Sequence, residues 1–283
     1  MVWEQRVFLL SAALLVYTWI VYPGMLWFLQ KIYTPRAVQA QSVEKPRISI
    51  IVPAHNEEER IRAKLTNCLK LAYPHDRVEI LVVSDGSADS TEEIVKSFTS
   101  NDSRIHLLRS ERLGKSLAQN LAVQRAKGEI LLFTDANAWT RPDLLEVIGK
   151  NFRDPRVGMV TATVYFGQPG DAVARGQGLY WCYELFLRAA ESAIGILATG
   201  SGQALAMRRS LFRPMEACYG DDCVLPLDVR LQGYRVVQDS QAVVYDEIPS
   251  SIEGELRARV RMTARNWTGT LSRPSLFNPF DFP

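Results

Sequence analysis

The 283-residue chain carries 33 Lys and Arg against 31 Asp and Glu, for a formal net charge of +2, and it is 47% hydrophobic and 23% charged. That balance belongs to a globular chain able to bury a sizeable core; it excludes a disordered protein and gives no support to a nucleic-acid partner. Cys68, Cys182, Cys218 and Cys223 form no CxxC pair and stand near no histidine group, so reduced thiols in a cytosolic compartment fit better than zinc or disulfides.

From Val7 to Leu29 the sequence "VFLLSAALLVYTWIVYPGMLWFL" has no charge. At about 1.5 Å per residue it can cross a hydrocarbon core of about 30 Å. Trp19, Tyr22 and Trp27 suit interfacial positions, and Pro23-Gly24 predicts a kink. A cleaved signal peptide is the competing reading, with Val38-Gln39-Ala40 as its cleavage site. The long apolar run and the weakly basic "MVWEQR" favour a retained transmembrane helix over residues 1–32. Lys31, Arg36, Lys45 and Arg47 follow it, against Arg6 before it. The positive-inside rule then puts the remainder on the cytoplasmic side of the inner (plasma) membrane. Residues 33–46 read as a polar linker.

After the linker, strand and helix patterns alternate. "RISIIVP" (Arg47–Pro53) is a β-branched strand, and Glu57–Leu71 has a helical apolar face at Ile61, Leu65, Cys68 and Leu69. "VEILVV" (Val78–Val83) is a second strand, with Asp89 or Ser90 capping the helix that begins "TEEIV". "RIHLL" (Arg104–Leu108) is a short strand, Gly114–Ala126 a helix, "EILLFT" (Glu129–Thr134) a fourth strand, and Pro142–Phe152 a helix with proline at its start. Beyond Phe152 come the strand "VGMVTATVYF", a long helix over Ala174–Ile196, and "YRVVQDSQAVVYDE", which reads as two short strands. Such alternation predicts an α/β fold with a mostly parallel sheet and helices on both faces. The aromatic helix "GLYWCYELFLRAAES" is either core or a face lying on the membrane. The ending "RPSLFNPFDFP", within a tail over 271–283, has no terminal element and reads as a chain cut before further membrane helices.

Three of the early strands run into polar clusters: "PAHNEE", "SDGSADST" and "TDANA". Each alone is an ordinary turn. In a parallel sheet, however, strand ends share one edge, and three acid-bearing turns there would repel unless a cation or a donor-rich ligand lies among them. There is no G-x-G-x-x-G after the first strand and no GxxxxGK[ST], so neither a dinucleotide fold nor a Walker loop is indicated. Acids in place of a glycine nest suit a diphosphate met through Mg²⁺ or Mn²⁺. Lys115, at the start of a helix, is either a phosphate partner or a solvated lysine.

"ISIIVPAHNEEERI", "ILVVSDGSADST", "GKSLAQNLAVQRAKGEILLFTDANA", "GSGQALAMRR" and "DDCVLPLDVRLQGYRV", in this order, resemble family 2 glycosyltransferases from about Arg47 to Trp267. The resemblance implies a GT-A fold over residues 47–270, with 47–150 binding the nucleotide sugar and 151–270 the acceptor. It further implies inverting transfer from a nucleoside diphosphate donor, usually of UDP, to a lipid-linked or surface-glycan acceptor. By the same resemblance Pro53, Glu57 and Asp85 hold the base and ribose, Lys115 lies near the diphosphate, and Asp135 is the first acid of a D-x-D motif. The last position of that motif is Asn137, whose amide oxygen can bind Mg²⁺ or Mn²⁺ without a formal charge; Asp135 alone is the other option. Asp222 takes the place of the general base, with Asp221 as its acidic neighbour, and a helix N-terminus is compatible with both roles. Gly200, Ser201, Gly202 and Gln203 line the acceptor side. Where processive members carry Q-x-x-R-W, this chain has "RVRMTARNW", with Met262 in the glutamine place and Arg265 left to face the diphosphate. Asp228 is expected on the surface. The rival function is a catalytically inactive nucleotide-binding subunit or scaffold of a membrane glycan synthase.

Overall fold

A computed structural model of the chain describes residues 3–32, 44–167, 178–247 and 252–278. Most of the expected linker, the first residues of the helix expected from Ala174, and the last residues of the tail lie outside these. Strands β1 (Ile48–Ala54), β2 (Val78–Asp85), β3 (Ile105–Ser110) and β4 (Ile130–Phe133) run parallel in the order β3-β2-β1-β4. The near-continuous apolar runs of β1, β2 and β4 follow from burial on both faces, while β3, at the edge, is only partly covered. Ile48, Ile50 and Val52 point into one layer with helices α3 (Ile61–Leu69), α4 (Thr91–Thr99) and α6 (Leu144–Asn151). Ile51 points into the other, with α5 (Lys115–Arg125) and α8 (Asp221–Leu231).

The sheet then changes direction twice. Strand β7 (Leu205–Arg208) lies antiparallel between β4 and β6 (Val157–Phe166), and β8 (Arg235–Asp246) lies parallel to β6. Two reversals restore the original sense, so β8 ends on the same edge as β1, β2 and β4. The short β5 (Trp139–Thr140) closes the far side, antiparallel to β8. Tyr234–Glu247 had been expected to form two strands. It forms one, and the polar break at Asp239–Gln241 is a bulge, marked by a register shift opposite Ala162 and Thr163.

At the N-terminus, α1 (Trp3–Val16), a π-helical turn (Tyr17–Val21) and α2 (Tyr22–Ile32) form one continuous helix. It is the one helix among the described residues long and apolar enough to cross a membrane. The expected break at Pro23-Gly24 is taken up by the wider π turn just before it, where the proline ring would crowd the carbonyl of Trp19. Helix α2 packs against α7 (Leu179–Ile194). Tyr22 Oη donates to Glu191 Oε1 at 2.6 Å, Tyr183 Oη donates to the Thr18 carbonyl at 2.6 Å, and Trp19 stacks on Tyr183 with centroids 4.7 Å apart. The aromatics of α7 thus divide among three surroundings. Trp181 bonds the Val164 carbonyl on the sheet, Tyr183 meets the N-terminal helix, and Tyr180 and Phe186 are exposed.

Candidate active site

The loops after β1 and β2 are stitched together at the sheet edge. The Glu57 amide donates to Thr91 Oγ1, the Glu58 amide to Asp89 Oδ2, and the Ser90 amide to Glu58 Oε2. Asp89 also accepts from the Thr91 amide, an Asx turn leading into α4, while Ser90 at the N-cap position makes no side-chain cap bond. Because Glu57–Arg60 serve this junction as a turn, α3 begins at Ile61 and not at Glu57. A cleft of about 430 Å³ opens beside it, lined by Pro53, His55, Glu57, Asp85, Lys115, Asp135 and Asn137 among others. All three polar strand ends therefore meet in one place. Glu57 Oε2 is buried with no hydrogen-bond partner, 3.6 Å from the Arg60 guanidinium. Burial pushes the Glu57 carboxyl up, only partly offset by Arg60.

Asp85, at the end of β2, is fully engaged. It accepts from Ser110 Oγ at 2.8 Å, the Leu113 amide at 2.6 Å and the Gly114 amide at 2.8 Å. Burial alone would raise its carboxyl, but these donors outweigh it and hold the group below the usual carboxylate range. Gly114 has φ +90°, a conformation side chains resist, and it directly precedes α5. Asp85 thereby fixes the loop that delivers Lys115. The Lys115 ammonium lies 2.7 Å from Asp135 Oδ1, at the end of β4, and 3.1 Å from Asp221 Oδ2, at the start of α8. Burial would lower its pKa, yet the two acids raise it well above the ordinary lysine value. Gln119, one turn along α5, donates to Asp221 Oδ2 at 2.8 Å.

The loop over Gly200–Gln203 closes against these acids. Burial first, and the neighbouring Asp221 second, push the Asp222 carboxyl up, with Lys115 opposing. The Gly200 amide donates to the Asp222 carbonyl at 2.9 Å. A Cβ added at Gly202 would stand 3.5 Å from Lys115 Nζ and 3.9 Å from both Asp221 Oδ1 and Asp222 Cβ, so the loop backbone passes directly over the charged centre. Arg188 of α7 steadies this loop, donating to Ser201 Oγ at 2.9 Å and the Gly200 carbonyl at 3.2 Å. Gln203 donates to Asp246 Oδ2 at 2.8 Å.

Of the residues singled out from the sequence, Pro53, Glu57, Asp85, Lys115, Asp135 and Asn137 line the cleft, and Gly202 and Asp221–Asp222 adjoin it through Lys115. Arg265, on α9 (Ile252–Leu271), does not line it; its Cβ lies near Gly220, just before Asp221. Asp228 is a correction. It is 4% exposed and pairs with Arg273 at 2.7 and 2.8 Å, because it occupies the face of α8 that α9 covers. Three participants were missed. Lys64 is fully buried under the Asp135–Asn137 loop and donates to Thr134 Oγ1 at 2.7 Å and the Ala138 carbonyl at 2.6 Å; burial lowers its pKa. Arg188 is the second. Asp246, at the end of β8, is the third, and it accepts from Asn137 Nδ2 at 2.8 Å. The strand-end rule would have found it had β8 been read as one strand parallel to β1.

Among the described residues no group of three or more His, Cys, Asp or Glu side chains could hold a metal ion. The donors present nevertheless fit Mg²⁺ or Mn²⁺ arriving with a diphosphate. Asp135 supplies a carboxylate, Asn137 an amide oxygen, and Lys115 shows that a cation is already stabilised against Asp135. Such ions take one or two protein oxygens together with substrate phosphates.

Residues 49–215, more than half of the chain, match the model of glycosyl transferase family 2. An N-acetylglucosaminyltransferase of Rhizobium meliloti (strain 1021) is 28% identical over 267 residues, covering 86% of this chain and 62% of the relative. The poly-beta-1,6-N-acetyl-D-glucosamine synthase of Staphylococcus aureus (strain COL) is 25% identical over 259 residues, covering 86% and 60%. The chain therefore spans less than two thirds of either relative. A mannosyltransferase from Pyrobaculum calidifontis, solved in complex with GDP-Man and Mn²⁺, superposes with a TM-score of 0.76 at 26% identity, over 92% of this chain and 75% of that one. S. aureus TarS 1–349, solved with UDP-GlcNAc, has a TM-score of 0.55 at 19% identity, over 72% and 59%, a likeness of fold alone. The mixed sheet covered on both faces, together with the superposition on that mannosyltransferase, shows a GT-A fold. The chain belongs to glycosyl transferase family 2.

Proposed function

We propose that this chain transfers a sugar from a nucleoside diphosphate donor, a UDP-sugar such as UDP-GlcNAc, to a hydroxyl of a lipid-linked or surface-glycan acceptor, from the cytoplasmic side of a membrane held by residues 3–32. The observation that carries it is Lys115. One ammonium bridges the acid of the donor loop, Asp135, and the acid pair of the acceptor half, at Asp221. The groups needed at the two ends of an in-line displacement thus stand within one side chain of each other.

In this proposal Asp222 takes the proton of the attacking hydroxyl as that oxygen bonds to the anomeric carbon. The bond from the anomeric carbon to the phosphate oxygen breaks on the opposite face, its electron pair leaving with the nucleoside diphosphate, so configuration inverts. Lys115 exchanges Asp135 for a phosphate oxygen and holds that leaving charge. Asp135 and Asn137 would hold Mg²⁺ or Mn²⁺, which neutralises the diphosphate when bound. Glu57, with its unpartnered Oε2, accepts from a ribose hydroxyl. The acid raised by burial and by its neighbour is suited to proton transfer near neutral pH.

The test is sugar transfer by the purified chain in detergent, beside calorimetric UDP binding. Asp222→Asn is expected to abolish transfer and leave UDP affinity within about twofold. Transfer that survives Asp222→Asn removes the base assignment. UDP binding by the unaltered chain with no donor turned over, on any glycan acceptor offered, supports the scaffold in its place.

A further inference from the structure

Asn137 poses a charge problem: the donor loop has one acid, Asp135, where a D-x-D sequence would have two. We propose that Asp246, at the end of β8, supplies the missing carboxylate from behind the loop and is the positioning residue that aims Asn137. The inference rests on the reading of the cleft as a metal–diphosphate site.

Three observations carry it. Asn137 Nδ2 donates to Asp246 Oδ1 at 2.8 Å. An ionised carboxylate accepts and cannot donate, so it selects the NH₂ end of the amide and turns the carbonyl oxygen away from itself. That leaves Oδ1 of Asn137, a residue exposed in the cleft beside Asp135, as the group that meets a hard cation. Next, the strand order places Asp246 there independently of the loop, since β8 is parallel to β1 and ends on the same edge. Finally, Asp246 is saturated with donors. Its Oδ1 also accepts from the Glu247 amide at 2.8 Å, and its Oδ2 accepts from Gln203 Nε2 at 2.8 Å. A carboxylate fixed by three donors cannot move aside for a second acid at 137. The site thus holds two acids, one in the loop and one a single hydrogen bond behind it, where burial pushes the Asp246 carboxyl up and its donors from Gln203 and Glu247 oppose that. A hydrogen bond to a charged acceptor polarises the amide and makes its oxygen a better ligand.

The consequence runs against intuition. Asn137→Asp, which rebuilds D-x-D, should damage the site by setting one acid against another. Asn137→Asp with Asp246→Asn, which exchanges the two groups, should repair it.

The experiment is calorimetric titration of the full chain in detergent with UDP, in Mn²⁺ and in EDTA, reading the ratio of the two affinities. Unaltered protein sets the ratio. Asn137→Asp and Asp246→Asn are each expected to lower it tenfold or more, while thermal midpoints in detergent without nucleotide stay close to that of the unaltered protein and report an intact fold. The exchanged pair is expected within threefold of the unaltered protein. Asn137→Asp has an exposed position and tests the proposal even where Asp246→Asn fails to fold. An Asn137→Asp protein equal to or better than the unaltered one overturns the inference, as does an exchanged pair no better than the worse single change. If unaltered protein binds UDP with no Mn²⁺ enhancement, the metal–diphosphate reading fails and takes this inference with it. If it binds no UDP at all, the donor assignment is what fails.

Discussion

Asp85 shows how one carboxylate can hold a site without touching the reacting atoms. It is 5% exposed and accepts three hydrogen bonds that fix the approach to Lys115. Asp85→Ala would leave the Leu113 and Gly114 amides unpaired, at a cost of about 3 kcal/mol near neutral pH. The sign of the pH dependence follows from its depressed folded pKa. The stabilisation is fully present above the unfolded value of about 3.9 and is lost as pH falls through the lower folded one. Thermal midpoints in detergent are therefore expected to separate the two proteins widely at neutral pH and to converge in strong acid. At Asp222 the proposed role bears on rate. Asp221 is one cause of its raised pKa, so Asp221→Asn is expected to move the acid limb of kcat/KM to lower pH. An unmoved limb would mean that another group sets it. Asp85 and Asp135 were legible in the sequence because each stands where an apolar strand runs into acid, and Asp222 because its segment resembles one of the family's. Lys64 was not. On a helix read by apolar spacing a lysine passes as solvated, and only the loop folded over it makes Lys64 a buried staple.

Between elements, the contacts across α8 and α7 decide what the site can tolerate. Asp228 was expected at the surface because periodicity marks one apolar face and is silent about a second partner. Here α9 and the turn after it cover that side, and Arg273 pairs with the acid. Arg273→Ala strands a buried charge and is expected to cost about 3–5 kcal/mol. Pairing Arg273→Met with Asp228→Asn should recover much of that loss in the same thermal assay. Arg188 links α7 to the Gly200–Gln203 loop. Arg188→Ala is expected to lower kcat about tenfold with little change in donor KM, since the loop it loosens and the Asp222 carboxyl it helps to hold down lie away from the proposed nucleotide side. The alternation of strand and helix over residues 47–152 was legible because fully buried parallel strands announce themselves as β-branched runs. The second half was less so. Its strands reverse direction, β6 and β8 pair across a long separation in sequence, and the bulge at Asp239–Gln241 looks like a turn until its partner strand is known. That loss of order is also why Asp246 escaped notice.

Across the whole molecule, the N-terminal helix is longer than the about 20 residues that cross a bilayer. From Thr18 onward that helix also packs on α7. Since α7 in turn holds the Gly200–Gln203 loop through Arg188, the N-terminal helix and that loop share one intermediary. The lysine at the centre has a different consequence. With Lys115 already paired to Asp135 and Asp221, its ammonium is engaged by two acids before anything enters. Admission of a metal-bearing nucleotide is then a trade of ionic partners, not the filling of a bare positive pocket. A trade between short-range contacts leaves little long-range attraction for dissolved salt to screen. UDP affinity in saturating Mn²⁺ should therefore change less than threefold between about 0.05 and 0.5 M salt, and a steep loss across that range would show a cleft that draws its ligand in from a distance.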